Sequence, residues 1–356
     1  MSSAKSMGRK AVASFAATMI CVPFGSAYAD CGIPGTITGK RGDDTVQLKT
    51  RVFADGSIAV KARLAVNPDG GPGSYTVGNH GFTYIGNGLA LWKNNARVKC
   101  DTQCTNDFKT AEGLDFAKGS AEFCVFAIEV EPISGGARTS CKNGYVAGNG
   151  KGRPALGPLL TTAVGGNVRS YRSTTSLMHL VGGQSVYLNS ETLPIVVTPD
   201  ADLLGRVAMV VEDRGAVGGS TPAIIGDAGP AFGEGSIALH QMLRYGSIGF
   251  QKVGPILPAN RCGPEELGLR PPFVSKPDGG SGDLCRPGYR PKTVTDIRAY
   301  AGMDQDVDFV ILGKAFFPRK GLTVQSEVTV AAINAVVEHA GYSPDAIAKM
   351  RNCLNN

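Results

Sequence analysis

The chain has no apolar run approaching the roughly 18 residues that cross a membrane as a helix, so no transmembrane segment is expected. Charge is scarce: Asp, Glu, Lys and Arg make up 19 % of 356 residues, without a block of one sign. That excludes the basic footprint of a nucleic-acid binder. Only four histidines are present, and Gly218-Gly219-Ser220 does not complete a Gly-x-Ser-x-Gly elbow, which disfavours a serine hydrolase. The one tryptophan, Trp92, reads first as a packing residue, with stacking on a sugar ring as the alternative. No internal repeat is visible.

Glycine and proline are abundant, 48 and 21 residues, as in turn-rich β structure rather than a helical bundle. The length suits two domains or one large β-rich domain. The N-terminus reads as a secretory signal over residues 1–29. Lys5, Arg9 and Lys10 form its basic part, Ala11 to Val22 its apolar part, and Ala27-Tyr28-Ala29 its cleavage pattern. Cys21 lacks the small-residue setting of a lipoprotein box, so no membrane anchor is expected. Cleavage would take the formal charge from +6 to +3 and leave eight cysteines. An even number in an exported chain implies disulfides, and eight allow 105 connectivities. Cys262–Cys285 is the most plausible local bridge, closing a Pro/Gly-rich loop. Cys100-x-x-x-Cys104 could be half a metal site, but no histidine is near, so neither metal nor cofactor is expected.

Residues 46–66 alternate as strands around an Asp55-Gly56 turn, and 82–99 read as a second hairpin around Gly86-Asn87-Gly88. Between them, Asp69, Tyr75 and His80 share a loop, where substrate contacts concentrate. Taken singly, each also suits a turn or packing role. Residues 100–170 form a Cys/Gly-rich insertion, expected to be a disulfide-pinned excursion that ends in a flexible connection over Gly144 to Gly157. Strand patterns return over 184–211 and at Val307 to Leu312. A helical pair, 323–354, closes the chain, with Ser343-Pro344 starting its second member.

The most informative stretch is Thr221 to Leu243. Ala223 to Ile225 reads as a buried strand stopping at Gly226, with Asp227 at its end. Gly229-Pro230 makes a turn, Gly233-Glu234-Gly235 presents a second acid, and Ser236 opens a helix. Carboxylates held by glycines at a strand end and a helix mouth suit acid/base chemistry. A turn aspartate bonded to its own backbone, with a solvated glutamate, is the structural alternative.

Gly226-Asp227-x-Gly229-Pro230 followed by Gly233-Glu234-Gly235-Ser236 and an apolar helix resembles the fungal-type chitosanases of glycoside hydrolase family 75. Asp69-Gly70-Gly71-Pro72 with Ser74-Tyr75, Glu191 to Val197 and Val307 to Leu312 resemble further family segments in order and spacing. The resemblance spans roughly 55–318. It departs at Val66-Asn67-Pro68, where the family is more acidic, and over 100–170, which has no counterpart. It implies a mainly β fold: a double-psi β-barrel-like core with peripheral helices, in one domain over 30–356. It also implies inverting hydrolysis by the pair Asp227 and Glu234. The sequence does not rank the two; Glu234 is taken as acid and Asp227 as base, with the reverse assignment open. Asp69, Tyr75 and Ser236 are then substrate-binding candidates, Asp69 for an ammonium group and Tyr75 for stacking. The expected protein is a secreted or periplasmic monomer acting endo on β-1,4-linked glucosamine polymers. Peptidoglycan is the alternative substrate, suited to a weakly basic chain, and a non-catalytic carbohydrate-binding envelope protein is the third reading.

Overall fold

The computed structural model describes residues 31–41, 44–78, 81–161, 167–212, 219–230, 232–248 and 300–355, with the short strands Ile256–Leu257, Gly268–Leu269 and Asp283–Cys285. The expected signal segment, His80 and the expected Cys262–Cys285 bridge lie outside the described residues.

Alternation of apolar and polar residues makes β1 (Ile33–Arg41), β2 (Asp44–Val52) and β3 (Ile58–Val66) an antiparallel run. In the turn before β3 the Ser57 N–H donates to Asp55 Oδ1 at 2.9 Å. The same sheet takes in β4 (Ile195–Thr198), β5 (Arg206–Val211), β6 (Ser220–Ala228), β7 (Glu234–Gly235) and β8 (Tyr300–Phe316). Its order is β1-β2-β3-β7-β4-β6-β5-β8, with the short strand Asp283–Cys285 as a ninth member on β8, and β8 pairs back onto β3 from Ile58↔Ile311 to Gly302↔Ala65. The result is a closed barrel of six strands: β3, β7, β4, β6, β5 and β8. Two neighbouring pairs, β3–β7 and β4–β6, run parallel, and the other four antiparallel.

Apolar side chains such as Leu64, Ile195, Ile224 and Phe309 fill the main core, where Phe232 meets Phe309 edge to face at 5.0 Å. Four α-helices flank the strands: α1 (Thr102–Gly113), α2 (Ile237–Tyr245), α3 (Val330–His339) and α4 (Pro344–Asn352). The last two carry Ile333, Val337, Ile347 and Met350 into the barrel core. A Cys31–Cys353 disulfide ties the strand at one end of the described chain to the helix at the other. Among the described residues no helix is long and apolar enough to cross a membrane.

Several elements differ from the sequence-based expectation. Strand β6 continues through Gly226 and Asp227, because its backbone stays paired with β4 up to Thr198↔Ala228. Strand β8 extends to 17 residues, far beyond its six-residue apolar centre, since it pairs with β3 on one side and β5 on the other. The hairpin expected around Gly86-Asn87-Gly88 closes instead at Asn94-Asn95, whose φ values of 51° and 59° suit a tight primed turn, while Ile85–Asn87 is a single 3₁₀ turn.

The insertion is more ordered and starts earlier than expected. Its own core gathers residues from Tyr75 to Tyr171, with Phe108 in edge-to-face contact with Phe116, Phe123 and Tyr171. Gly144–Ala147 and Gly152–Pro154 are strands, not a flexible connection: they pair with Phe123–Val125 and Val130–Pro132. Two disulfides pin the unit, Cys100–Cys104 at the start of α1 and Cys124–Cys141. The first bridge ties up both thiols of the candidate half metal site.

After β3 the chain turns sharply at Pro68. The Pro68 carbonyl accepts from the Gly71 N–H (2.9 Å) and from the hydroxyls of Ser74 (2.6 Å), Ser190 (2.8 Å) and Ser173 (3.2 Å). Gly70 sits at φ +90°, and a Cβ there would stand 1.9 Å from the Leu188 carbonyl oxygen. Gly70→Ala is therefore expected to destabilise the protein by more than about 1 kcal/mol, because both the φ and the space are wrong for a side chain. Urea unfolding of the purified variant measures this, and an unchanged midpoint would contradict the tight packing of the loop.

Candidate active site

Three carboxyl groups meet at one mouth of the barrel. Asp227 lies near the end of β6 and Glu234 opens β7. Both pair with Val197 of β4, Asp227 through the parallel ladder and Glu234 through the antiparallel one. Residues sharing a register position face the same side of a sheet. The two acids thus stand on one face, two strand spacings apart, about 10 Å between backbones at ~4.8 Å per spacing. Asp69 comes from the loop that leaves β3, next to β7. That strand is stitched to β3 by the Ala65 N–H on Gly233 O (3.0 Å) and the Asn67 N–H on Gly235 O (2.8 Å).

Asn67 sits among the three acids. Its Oδ1 accepts from the Asp69 backbone N–H at 2.6 Å, its Nδ2 donates to Glu234 Oε2 at 3.3 Å, and its amide favours the charged forms of both Asp227 and Asp69. Asp227 is buried, and Oδ1 accepts three donors: the Ser176 N–H and hydroxyl, both at 2.7 Å, and the Ala228 N–H at 3.0 Å. Burial raises its pKa, and these donors, which favour the charged form, oppose the rise. Asp69 has less support, a 2.9 Å hydrogen bond from the Tyr75 hydroxyl to Oδ1. Burial foremost, then the Asp227 charge and more weakly that of Glu234, hold its carboxyl well above the usual range. Close-set buried carboxyls disfavour one another's charged forms, and a hydrogen bond to the charged form opposes this.

The cleft over these groups encloses about 770 Å³. Its barrel wall presents Asn67, Asp69, Ser176, Asp227 and Glu234. The facing wall belongs to the insertion, including Phe126, Arg138, Asn143 and Tyr145. Among the described residues no group of three or more His, Cys, Asp or Glu side chains is arranged to hold a metal ion.

The candidates named from sequence thus divide. Asp227, Glu234, Asp69 and Tyr75 all line the one cleft. Tyr75, however, is 4 % exposed, with its ring in the insertion core and its hydroxyl on Asp69, so it orients that acid and offers no face for stacking. Ser236 does not fit a substrate contact. It is 2 % exposed, and its hydroxyl caps α2 by accepting from the Leu239 N–H at 3.1 Å, while also accepting from the Ile195 N–H and donating to Leu193 O. Trp92 lies on the strand Leu89–Lys93 and is not part of the cleft lining. Two site residues carry no sequence motif, Asn67 and Ser176. For Asn67 the one signal is its place where the family resemblance is broken; Ser176 lies far from the acids in sequence. No protein-family model matches this chain, and no curated protein is significantly similar to it.

The raised Asp69 pKa has a consequence for stability. The folded protein keeps this proton at pH values where the unfolded chain has released it. The associated stability is present below the ordinary carboxylate pKa and is lost as pH rises through the folded value. Asp69→Asn, which has no proton to lose, is expected to be more stable than the parent at pH 7. The two should converge below about pH 4. Urea titrations from pH 3 to 8 test this; parallel pH profiles would show that Asp69 is ionised in the fold.

Proposed function

We propose that the protein is an exported, endo-acting glycoside hydrolase of the chitosanase-like type, cleaving β-1,4-linked amino-sugar polymers with inversion. The observation that carries this reading is the placement of Asp227 and Glu234 on either side of Val197, facing one cleft. Backbones about 10 Å apart let the carboxyl groups stand within the roughly 6.5–9.5 Å that admits a water molecule beside the scissile bond. Glu234 protonates the glycosidic oxygen as the bond to the anomeric carbon breaks. Asp227 takes a proton from water as the water oxygen bonds to that carbon from the opposite face. The donors on Asp227 suit the charged base, while a protonated Asp69 limits the negative charge next to it.

The closed barrel, with its parallel pairs β3–β7 and β4–β6, supports the double-psi form of the fold. Three disulfides support export to an oxidising compartment. The cleft, open to solvent along the insertion, suits attack within a chain, and the glucosamine polymer is the substrate that the family resemblance favours.

Asp227→Asn and Glu234→Gln are each expected to fold and to release reducing ends at least about a hundredfold more slowly than the parent. Chitosan and purified peptidoglycan are assayed in parallel. Full activity in both variants would reject the assignment, and no release from either polymer by the parent would reject hydrolysis of these substrates.

A further inference from the structure

The wall facing the three acids differs from them in charge. Arg138 lines the cleft, is exposed, and holds its guanidinium 4.2 Å from the centroid of the Tyr145 ring. Among the described residues it makes no ion pair. It lies two residues before the strand Ser140–Cys141, which pairs with Gly144–Ala147, the strand of Tyr145, and the Cys124–Cys141 disulfide fastens that pair to the insertion sheet. Behind it, Arg97 stacks 4.6 Å from the Phe126 ring centroid and donates to the Lys142 carbonyl. From Ile133 to Gly148 the sequence has Arg138 and Lys142 and no acid. The acid this wall does bring to the cleft, Glu129, lies 3.2 Å from Arg172, whose guanidinium also bonds Glu131 at 2.9 Å.

Stacking on an aromatic face sets the plane of a guanidinium while leaving its N–H edge open. A planar fork of this kind matches a carboxylate with two parallel hydrogen bonds. A polymer bearing an ammonium group on every sugar would meet repulsion here, whereas one with carboxylate substituents would be attracted on this wall and still present its glycosidic bond to the acids opposite.

We propose that Arg138, held on Tyr145, forms a subsite for a carboxylate carried by the saccharide, so that the substrate is an acidic glycan. This rests on the glycosidase reading for the chemistry, but not for the binding, and it replaces the glucosamine polymer favoured by the family resemblance with a carboxylated one. Two acidic glycans share the feature: one with an ether-linked lactyl carboxylate on an amino sugar, and one with a uronic acid carboxylate.

Binding separates the proposal from the hydrolytic reading. Full-length mature Asp227→Asn protein is titrated calorimetrically with soluble oligosaccharides of each type, with the same oligosaccharides after amidation of their carboxyls, and with glucosamine oligomers. At least one carboxylated ligand is expected to bind about tenfold or more tightly than its amidated form, as a charge-assisted pair lost from a partly enclosed site. Whichever acid type shows that preference identifies the source. In Asp227→Asn/Arg138→Ala the ratio should fall to about one, and in Asp227→Asn/Tyr145→Leu, which removes the stacking platform, it should shrink. Circular dichroism and thermal melts check that each variant folds. Equal binding of acidic and amidated forms, or preference for glucosamine oligomers, would overturn the proposal. An acid preference without hydrolysis by the parent would keep the subsite and reject the catalytic reading instead.

Discussion

The ladder between β3 and β8 joins segments at opposite ends of the described chain, Ile58 with Ile311 and Ala65 with Gly302. Closure removes the free edges that an open sheet would offer for aggregation, and it encloses an apolar interior on all sides. It also decides where the chemistry sits. Once β3 is locked between β8 and β7, the loop leaving it must pass beside Glu234, and its polar residues must find partners at that rim. The three carboxyls, the Asn67 amide among them and the Pro68 carbonyl that gathers three serine hydroxyls all follow from that geometry.

Crowding acids into a cleft is unfavourable unless charge is shared out. Here the donors are unequal. Asp227 Oδ1 receives two from Ser176 and one from Ala228, whereas Asp69 Oδ1 receives one from the Tyr75 phenol. Burial acts on both in the same direction. The difference in donors separates a group suited to remain charged from one suited to keep its proton, and that separation is what lets neighbouring carboxyls take different roles.

The insertion converts a barrel mouth into a two-sided cleft. Its own aromatic core and two disulfides fix the side chains it offers to the cleft. The barrel wall supplies the three acids, and the facing wall supplies an arginine stacked on Tyr145.

Much of the fold was legible in local pattern: the β3 turn at Asp55-Gly56, the apolar centres of β6 and β8, and the caps Ser236 and Ser343, because turns, alternation and caps are set by near neighbours. The grouping Asp227-x₆-Glu234 was also visible, since glycines frame both acids. What was not visible was anything set by partners distant in sequence. Helix α1 has a weak apolar stripe and forms around Phe108 in a core assembled from Tyr75 to Tyr171. Ser236 reads like a site residue from its motif, yet its hydroxyl is consumed by the backbone of α2 and of the chain around β4. Ser176 reaches Asp227 across 51 residues of chain. The sequence by itself determined the apolar centres of the main strands, the caps and the Gly-framed spacing of Asp227 and Glu234, which depend on adjacent residues; only the tertiary structure decided barrel closure, the placement of the three acids in one cleft and the cationic facing wall, because long-range pairing and burial set them.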